Sequence, residues 1–392
     1  MMKSQNKDTS APFQAEKVLL LSFCHFVHDI YSAFLAPLLP FLIEKFALSL
    51  TQAGLLSTVM QLPALLNAHI GKLADRMSVR YFIILAPSLT AIPMSLLGLA
   101  PSYGVLLLLV FCAGISVSLF HVPAPVMVYK VSGVKAGRGM SFYMTGGELA
   151  RALGPLAIIG AVSLLGFDGY YPVMLVGILV SVIMFYKFKD IPISVPDKKG
   201  NSIRETWQEL QAILMPLGGI LVVRGCMHAC LSAFLPLFIM QKTQNVWLAG
   251  IALSCFEGAG VVGILTVGSL SDRFGRKNLL IWCLVVAPIS LLGFIYTEGG
   301  VQLCILLITG FFLLSTTPVM LAMIQEASKN GSSSANGVFM MMSFLARSAV
   351  VVLVGFVGDL LGLERTFLLC AISGLLGIPL IFTLPASGKQ VR

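Results

Sequence analysis

Residues 28–35 read HDIYSAFL and residues 228–235 read HACLSAFL. One such match is weak evidence of kinship between two stretches. Three more keep the same order: GKLADR at 71–76 returns as GSLSDR at 268–273, PVM at 125–127 returns at 318–320, and LAR at 149–151 returns at 345–347. The offsets are 200, 197, 193 and 196 residues, so the second half of the chain repeats the first.

What repeats is apolar. Of 392 residues, 57% are hydrophobic and 11% are charged, against about 25% charged in a soluble globular protein. Runs of about 20 apolar residues, enough to cross a hydrocarbon core of about 30 Å as helices, recur along the whole sequence. Twelve are expected, near 18–43, 50–70, 81–99, 103–131, 138–163, 170–188, 211–240, 246–270, 278–296, 301–327, 333–357 and 365–384. The polar stretch before the first run lacks the short apolar core and small-residue cleavage site of a leader, so the first helix is expected to be a retained span.

The net charge of +9 does not require a nucleic-acid partner. Lys72, Arg76, Arg80, Lys130, Lys135, Arg138, Arg273, Arg276 and Lys277 fall in loops on one side, together with the segment Lys187 to Arg204 and the C-terminal Lys389 and Arg392. The other side offers only Lys45, Lys242 and Arg365. The positive-inside rule then puts both termini in the cytoplasm. The expected organisation is a cytoplasmic tail (1–17), a six-helix bundle (18–188), a cytoplasmic linker (189–210), a second six-helix bundle (211–384) and a short cytoplasmic tail (385–392). All eight cysteines fall within spans, where a disulfide framework is not expected.

Six helices followed by six matching helices in the same orientation predict two bundles related by a pseudo-twofold axis along the membrane normal, with a site at the midplane between them. The loop GSLSDRFGRK (268–277), with its shorter echo GKLADRMSVR (71–80), resembles the signature loop of the major facilitator superfamily. Within that superfamily the chain looks most like the fosmidomycin-resistance branch of drug–proton antiporters. The residues that carry this likeness are His28 and Asp29, LFH at 119–121, Gly146-Gly147 with LGPL at 153–156, and Gln325-Glu326. The sequence departs from that branch at His121-Val122-Pro123-Ala124, where a His-Pro-Glu run is expected, and in placing Glu148 and Arg151 in the fifth span.

An ionisable side chain at the bilayer centre costs about 2.5–3.5 kcal/mol on insertion scales. Those that fall near mid-helix are therefore expected to pair, to bind something or to face water. On the first span His25, His28, Asp29 and Ser32 follow i, i+3, i+4, i+7 spacing and share one stripe; Arg224, His228 and Ser232 do the same on the seventh. The repeat relates His28 to His228 and Arg151 to Arg347. Arg151, Arg224 and Arg347, with the two histidines, are candidates for binding an anionic substrate, because a guanidinium fork matches carboxylate or phosphonate oxygens. For Arg151 an internal ion pair with Glu148 or Asp29 is the competing reading. Asp29, Glu148 and Glu257 are candidate proton carriers, whose protonation would change when substrate competes for an arginine.

Cys24, His25, His28 and Asp29 are metal-ligand types, but Cys24 lies off the shared stripe, and no metal site is expected. His69 and His121 are read as structural. The resemblance implies that Gly71, Asp75, Arg76, Gly268, Asp272, Arg273, Gly275 and Arg276 latch the two bundles at the cytoplasmic end. It likewise implies that Gly147, Gly154 and Pro155 form part of an antiporter motif suited to a close, bent crossing at the bundle interface.

Neither a Walker-type phosphate loop nor a soluble catalytic domain is evident, which argues against an ATP-driven pump or a membrane enzyme, and no cofactor is expected. The expectation is a secondary transporter of a bacterial-type plasma membrane, acting as a monomer, that exports a small amphiphilic or anionic compound against protons by alternating access. Import or exchange of an organic anion through the same arginines is the alternative, and a non-transporting membrane sensor a further one.

Overall fold

The computed structural model describes residues 12–67, 70, 80–189, 203–328 and 333–384. Among the described residues the regular elements are helical, with no strand. Eleven helical stretches are long and apolar enough to cross a membrane, and the shorter apolar Leu50–Leu66 makes a twelfth. In chain order they are α1 (Ala15–Phe46), α2 (Leu50–Leu66), α3 (Arg80–Leu99), α4 (Tyr103–His121), α5 (Ala136–Leu165), α6 (Tyr171–Phe188), α7 (Arg204–Thr243), α8 (Val246–Phe274), α9 (Arg276–Ile295), α10 (Gly299–Ala327), α11 (Ser333–Leu361) and α12 (Leu363–Phe382). A short helix, Ala124–Ser132, follows α4. The twelve expected spans are thus present, arranged as two six-helix halves.

The repeat survives in details that hydropathy does not carry. The shared Ser-Ala-Phe-Leu marks a helix defect in both halves: α1 breaks at Ala33 and Phe34, and α7 widens into a π-helix over Cys230–Phe234. Pro37 and Pro236 follow, and a proline ring clashes with the carbonyl four residues back, at Ala33 and Ser232. Both helices then end on a left-handed residue, Ala47 (φ 49°) and Gln244 (φ 53°). Just before each end a lysine does the same double duty. Lys45 Nζ donates to the Gly98 carbonyl at 2.6 Å and pairs with Asp168 at 2.6 Å. Lys242 Nζ donates to the Ile295 carbonyl at 3.3 Å and pairs with Glu364 at 3.7 Å.

The halves meet most extensively through two helix pairs, α2 with α11 and α5 with α8, and also where α1 touches α7; the two large joints occupy matching places in the repeat. A Cβ on Gly54 of α2 would stand 2.8 Å from the Val351 carbonyl oxygen of α11. A Cβ on Gly250 of α8 would stand 3.6 Å from the Pro155 carbonyl oxygen of α5. Gly54 and Gly250 are repeat mates, as are Pro155 and Val351, at an offset of 196. A small residue lets the helix backbones approach in the same way at both joints.

One contact at this end has no copy. Asp359 of α11 accepts hydrogen bonds from the Leu50 amide (2.6 Å), the Thr51 amide (2.9 Å) and the Thr51 hydroxyl (2.5 Å). Ser49 Oγ accepts from the Gln52 amide at 3.1 Å, so the free amides of the first turn of α2 are satisfied partly by its own half and partly by the other. A carboxylate there also suits the positive end of the helix. These joints close the molecule at the end where α2 begins, opposite the GSLSDRFGRK loop.

Replacing Asp359 by Asn keeps one acceptor but removes the charge. Hydrogen bonds to charged groups contribute about 1.5–3 kcal/mol, so the closed end is expected to lose about tenfold or more in population, each tenfold being about 1.4 kcal/mol. Spin labels on Gln52 and Leu361, read by pulsed electron resonance in a cysteine-free background, should gain a longer-distance population. An unchanged distance distribution in Asp359→Asn refutes the role.

Candidate functional site

Two clusters of ionisable side chains lie midway along the helices. The first belongs to the first half. Asp29 of α1 places Oδ2 3.1 Å from His25 Nε2 and Oδ1 3.1 Å from His121 Nε2 of α4, while His28 Nε2 lies 3.9 Å from Oδ1. The rings are held from behind. His25 Nδ1 faces the Tyr143 carbonyl oxygen at 2.8 Å, and its ring stacks on Tyr143 with centroids 4.1 Å apart. His28 Nδ1 lies 3.0 Å from Thr90 Oγ1, and the Thr90 hydroxyl donates to Ser116 at 2.8 Å. His28 is therefore inside the bundle, fully buried, rather than on a wall shared with the arginines. Its repeat mate His228 is half-buried, with Nδ1 3.2 Å from Ser232 Oγ.

Gly147 explains how α5 comes so close. A Cβ there would meet His25 Cε1 at 2.5 Å, His25 Nε2 at 2.6 Å and Asp29 Oδ2 at 3.1 Å. Gly146 and Gly154 likewise face α1, with the Ser22 carbonyl oxygen and the Ala33 methyl in the space a side chain would need. The expected motif thus divides: its glycines seat α5 against α1, and Pro155 alone faces α8 across the halves.

The second cluster spans the two halves. Arg151 of α5 is bonded to Glu148 one turn earlier, and its Nε lies 3.9 Å from Glu257 Oε2 of α8. Glu148 and Glu257 are 12% and 13% exposed, yet Arg151 is 43% exposed. A mid-helix guanidinium that reaches an acid on the opposite half and still meets solvent lines a space between the halves. Arg347 of α11 is exposed as well, and both Glu257 and Arg151 act on it electrostatically.

Arg224 of α7 is buried and differently held. Its Nε donates to the Leu313 carbonyl at 3.3 Å and its Nη2 to Thr317 Oγ1 at 2.9 Å, both on α10. Among the described residues neither Arg224 nor Arg347 has a carboxylate within ion-pair distance. Of the two readings of Arg151, the ion pair with Glu148 is the one present in this conformation.

At the signature loop, Gly275 turns the chain from α8 to α9 at φ 89°, a conformation that favours glycine. Arg276 pairs with Glu326 of α10 at 3.0 Å and donates to Ser271. Both partners belong to its own half. Arg273 is exposed. Gly71, Asp75 and Arg76, and the side chains of Gly268 and Asp272, lie outside the described residues.

The description Major Facilitator Superfamily matches twice, over residues 21–241 and 217–391. The chain belongs to the major facilitator superfamily. The fosmidomycin resistance protein of Escherichia coli is 24% identical over 371 residues, spanning 92% of this chain and 91% of that protein. The transporter YfnC of Bacillus subtilis is 25% identical over 389 residues, spanning 95% and 93%. Among solved structures, a bacterial homologue of the lysosomal transporter Spinster, inward-facing and unoccupied, superposes with a TM-score of 0.81 at 16% identity over 96% of this chain and 99% of that one. The chain is thus a membrane transporter of this superfamily and not an enzyme.

His121 is the residue that the sequence assigned to a structural role and the structure brings to Asp29. Its signal was available only as a histidine in LFH at the end of α4, with nothing to align it in depth with the first span. Gly147→Ala is expected to push α5 off the His25–Asp29 contact and to cost about 1–3 kcal/mol, as overpacking does. Gly160→Ala, where the nearest atom to a Cβ is Trp247 Cη2 at 3.7 Å, should be tolerated. Thermal unfolding of the two purified variants compares them directly, and equal melting temperatures would refute the account.

Proposed function

We propose that the protein is a proton-coupled exporter of small anionic compounds, with the Arg151–Glu148–Glu257 cluster as the coupling site. The observation that carries this reading is the position of Arg151. It bridges the halves, is already neutralised by acids, and remains open to the cavity. Arg347, its repeat mate, offers a second fork without a carboxylate of its own among the described residues. An anion entering between the two guanidiniums competes with Glu148 and Glu257 for Arg151. A carboxylate that loses its arginine in a low-dielectric site takes up a proton. Substrate binding and protonation therefore occur together, so anion and proton cross in the same direction, and net export needs an outward substrate gradient larger than the inward proton gradient.

Alternating access has matching support in the two copied joints. Both close the same end, so one rocking motion about the pseudo-twofold axis opens both at once. In this reading the sealed end is extracellular, the termini are cytoplasmic, and one chain suffices. Direction and substrate class draw on the relatives, which include the fosmidomycin resistance protein and the multidrug resistance protein MdtG of Salmonella paratyphi C, the latter 23% identical over 286 residues.

In proteoliposomes preloaded with a phosphonate at a fixed lumenal pH, the protein is expected to release it faster into alkaline than into acidic buffer. Arg347→Gln should weaken the effect about tenfold or more, the loss expected for a charge-assisted pair of about 1.5–3 kcal/mol. In proteoliposomes with a trapped pH dye, Glu257→Gln should abolish substrate-driven proton movement while leaving substrate counterflow. Release of no anionic compound would sink export. Proton movement surviving in both Glu148→Gln and Glu257→Gln would sink the coupling site.

A further inference from the structure

The contact between His25 and Asp29 poses a bonding problem. His25 Nδ1 faces a carbonyl oxygen at 2.8 Å. A carbonyl only accepts, so Nδ1 carries the ring hydrogen, and the neutral ring presents a lone pair at Nε2. That lone pair meets Asp29 Oδ2, a second acceptor, at 3.1 Å, and Nε2 makes no hydrogen bond of acceptable geometry. Two lone pairs facing each other in a buried site require a cation between them. His25 is 4% exposed, so bulk water does not supply the answer.

The other donors nearby converge on the same carboxylate. His121 Nε2 stands 3.1 Å from Asp29 Oδ1, and the donor atoms of His25, Asp29 and His121 all lie within 4.8 Å of one another. An ion with bonds of about 2.0–2.2 Å joins donors at most about 4.4 Å apart, so side-chain shifts of a few tenths of an ångström gather this set around one ion. His25 also shows the support of a metal ligand, its other ring nitrogen donating to a backbone carbonyl and its face stacked on Tyr143. His28 turns a second buried, unpartnered Nε2 toward Asp29 from 3.9 Å. On the α5 side Gly147 leaves space that any Cβ would fill. His121 is 37% exposed along its side chain, so the fourth direction opens to the cavity.

We propose that His25, Asp29 and His121 bind a divalent transition-metal ion of the zinc class, with one coordination position open to the cavity. Two imidazoles and one carboxylate suit zinc, cobalt or iron and do not suit magnesium or calcium, which take oxygen donors. The open position takes water or a nitrogen or oxygen donor from a molecule in the cavity. The site stands on its own geometry and is independent of what the protein transports.

The test uses the full chain, purified in detergent after removal of any affinity tag, and zinc alone. Competition with a chromophoric chelator should give one zinc per chain at micromolar or tighter affinity, unaffected by excess magnesium. X-ray absorption at the zinc edge of the wild-type protein should show two imidazole nitrogens and oxygen, with no sulfur. Asp29→Asn and His121→Gln should each weaken binding by about tenfold or more, and His228→Gln should not. Absence of stoichiometric zinc, a sulfur-containing shell, or affinity unchanged in both Asp29→Asn and His121→Gln overturns the proposal and leaves a proton as the cation between His25 and Asp29. The absorption spectrum needs no variant, so the outcome does not depend on how well a substituted protein folds.

Discussion

A charge cannot stand alone in hydrocarbon. Each of Asp29, Glu148, Arg151, Arg224, Glu257 and Arg347 would cost about 2.5–3.5 kcal/mol at the bilayer centre, and the interior of this molecule is organised around relieving that cost. Arg151 is relieved by Glu148 and Glu257, Arg224 by a carbonyl and a hydroxyl of α10, and Asp29 by imidazoles from α1 and α4. Arg347 stays exposed, with its guanidinium 5.8 Å from the Phe344 ring centroid. The four solutions differ in mobility. Bonds to a neighbouring helix in the same half hold through any motion of the halves, whereas the reach from Arg151 to Glu257 exists only in states where α5 and α8 meet.

The duplication sets scaffold apart from chemistry. Helix defects, left-handed ends, lysine anchors and the two glycine–carbonyl joints occur twice, in register. They are what two rocking halves need in common. The polar groups are mostly single: Asp29 faces Ala229 in the repeat, Arg224 has Cys24 as its mate at the offset of the shared octapeptide, and Asp359 caps α2 without a counterpart in α5. Among the mid-helix groups Arg151 and Arg347 alone are charged on both sides of the axis, and they are the two guanidiniums left exposed between the halves. Symmetry thus supplies the motion, and departures from it supply the recognition.

Several assignments depended on depth and rotation, which sequence spacing gives only within one helix. His25, His28 and Asp29 share a stripe, yet that stripe is wide enough for His25 to turn to Tyr143 on α5 and His28 to Thr90 on α3. The glycines of α5 were rightly seen as sites of close approach, but which helix approaches could not be read from them. Gly147 and Gly154 meet α1, and the interface with α8 runs through Ala152, Pro155 and Ile159. Arg276 pairs with Glu326 of its own half in a conformation where the opposite end is the closed one.

The sequence by itself determined the class of the molecule: twelve spans from hydropathy, two equivalent halves from a constant offset, and a family from its signature loop. These follow from local chain properties and from self-comparison, which need no coordinates. It also named the ionisable residues that matter, because a charge in an apolar run is conspicuous wherever it points. The tertiary structure alone decided which of them meet. That Asp29 sits with His121, and Arg151 with Glu257, is settled by the depth and rotation of four different helices, and packing between helices fixes those quantities without leaving a trace in the spacing along any one of them.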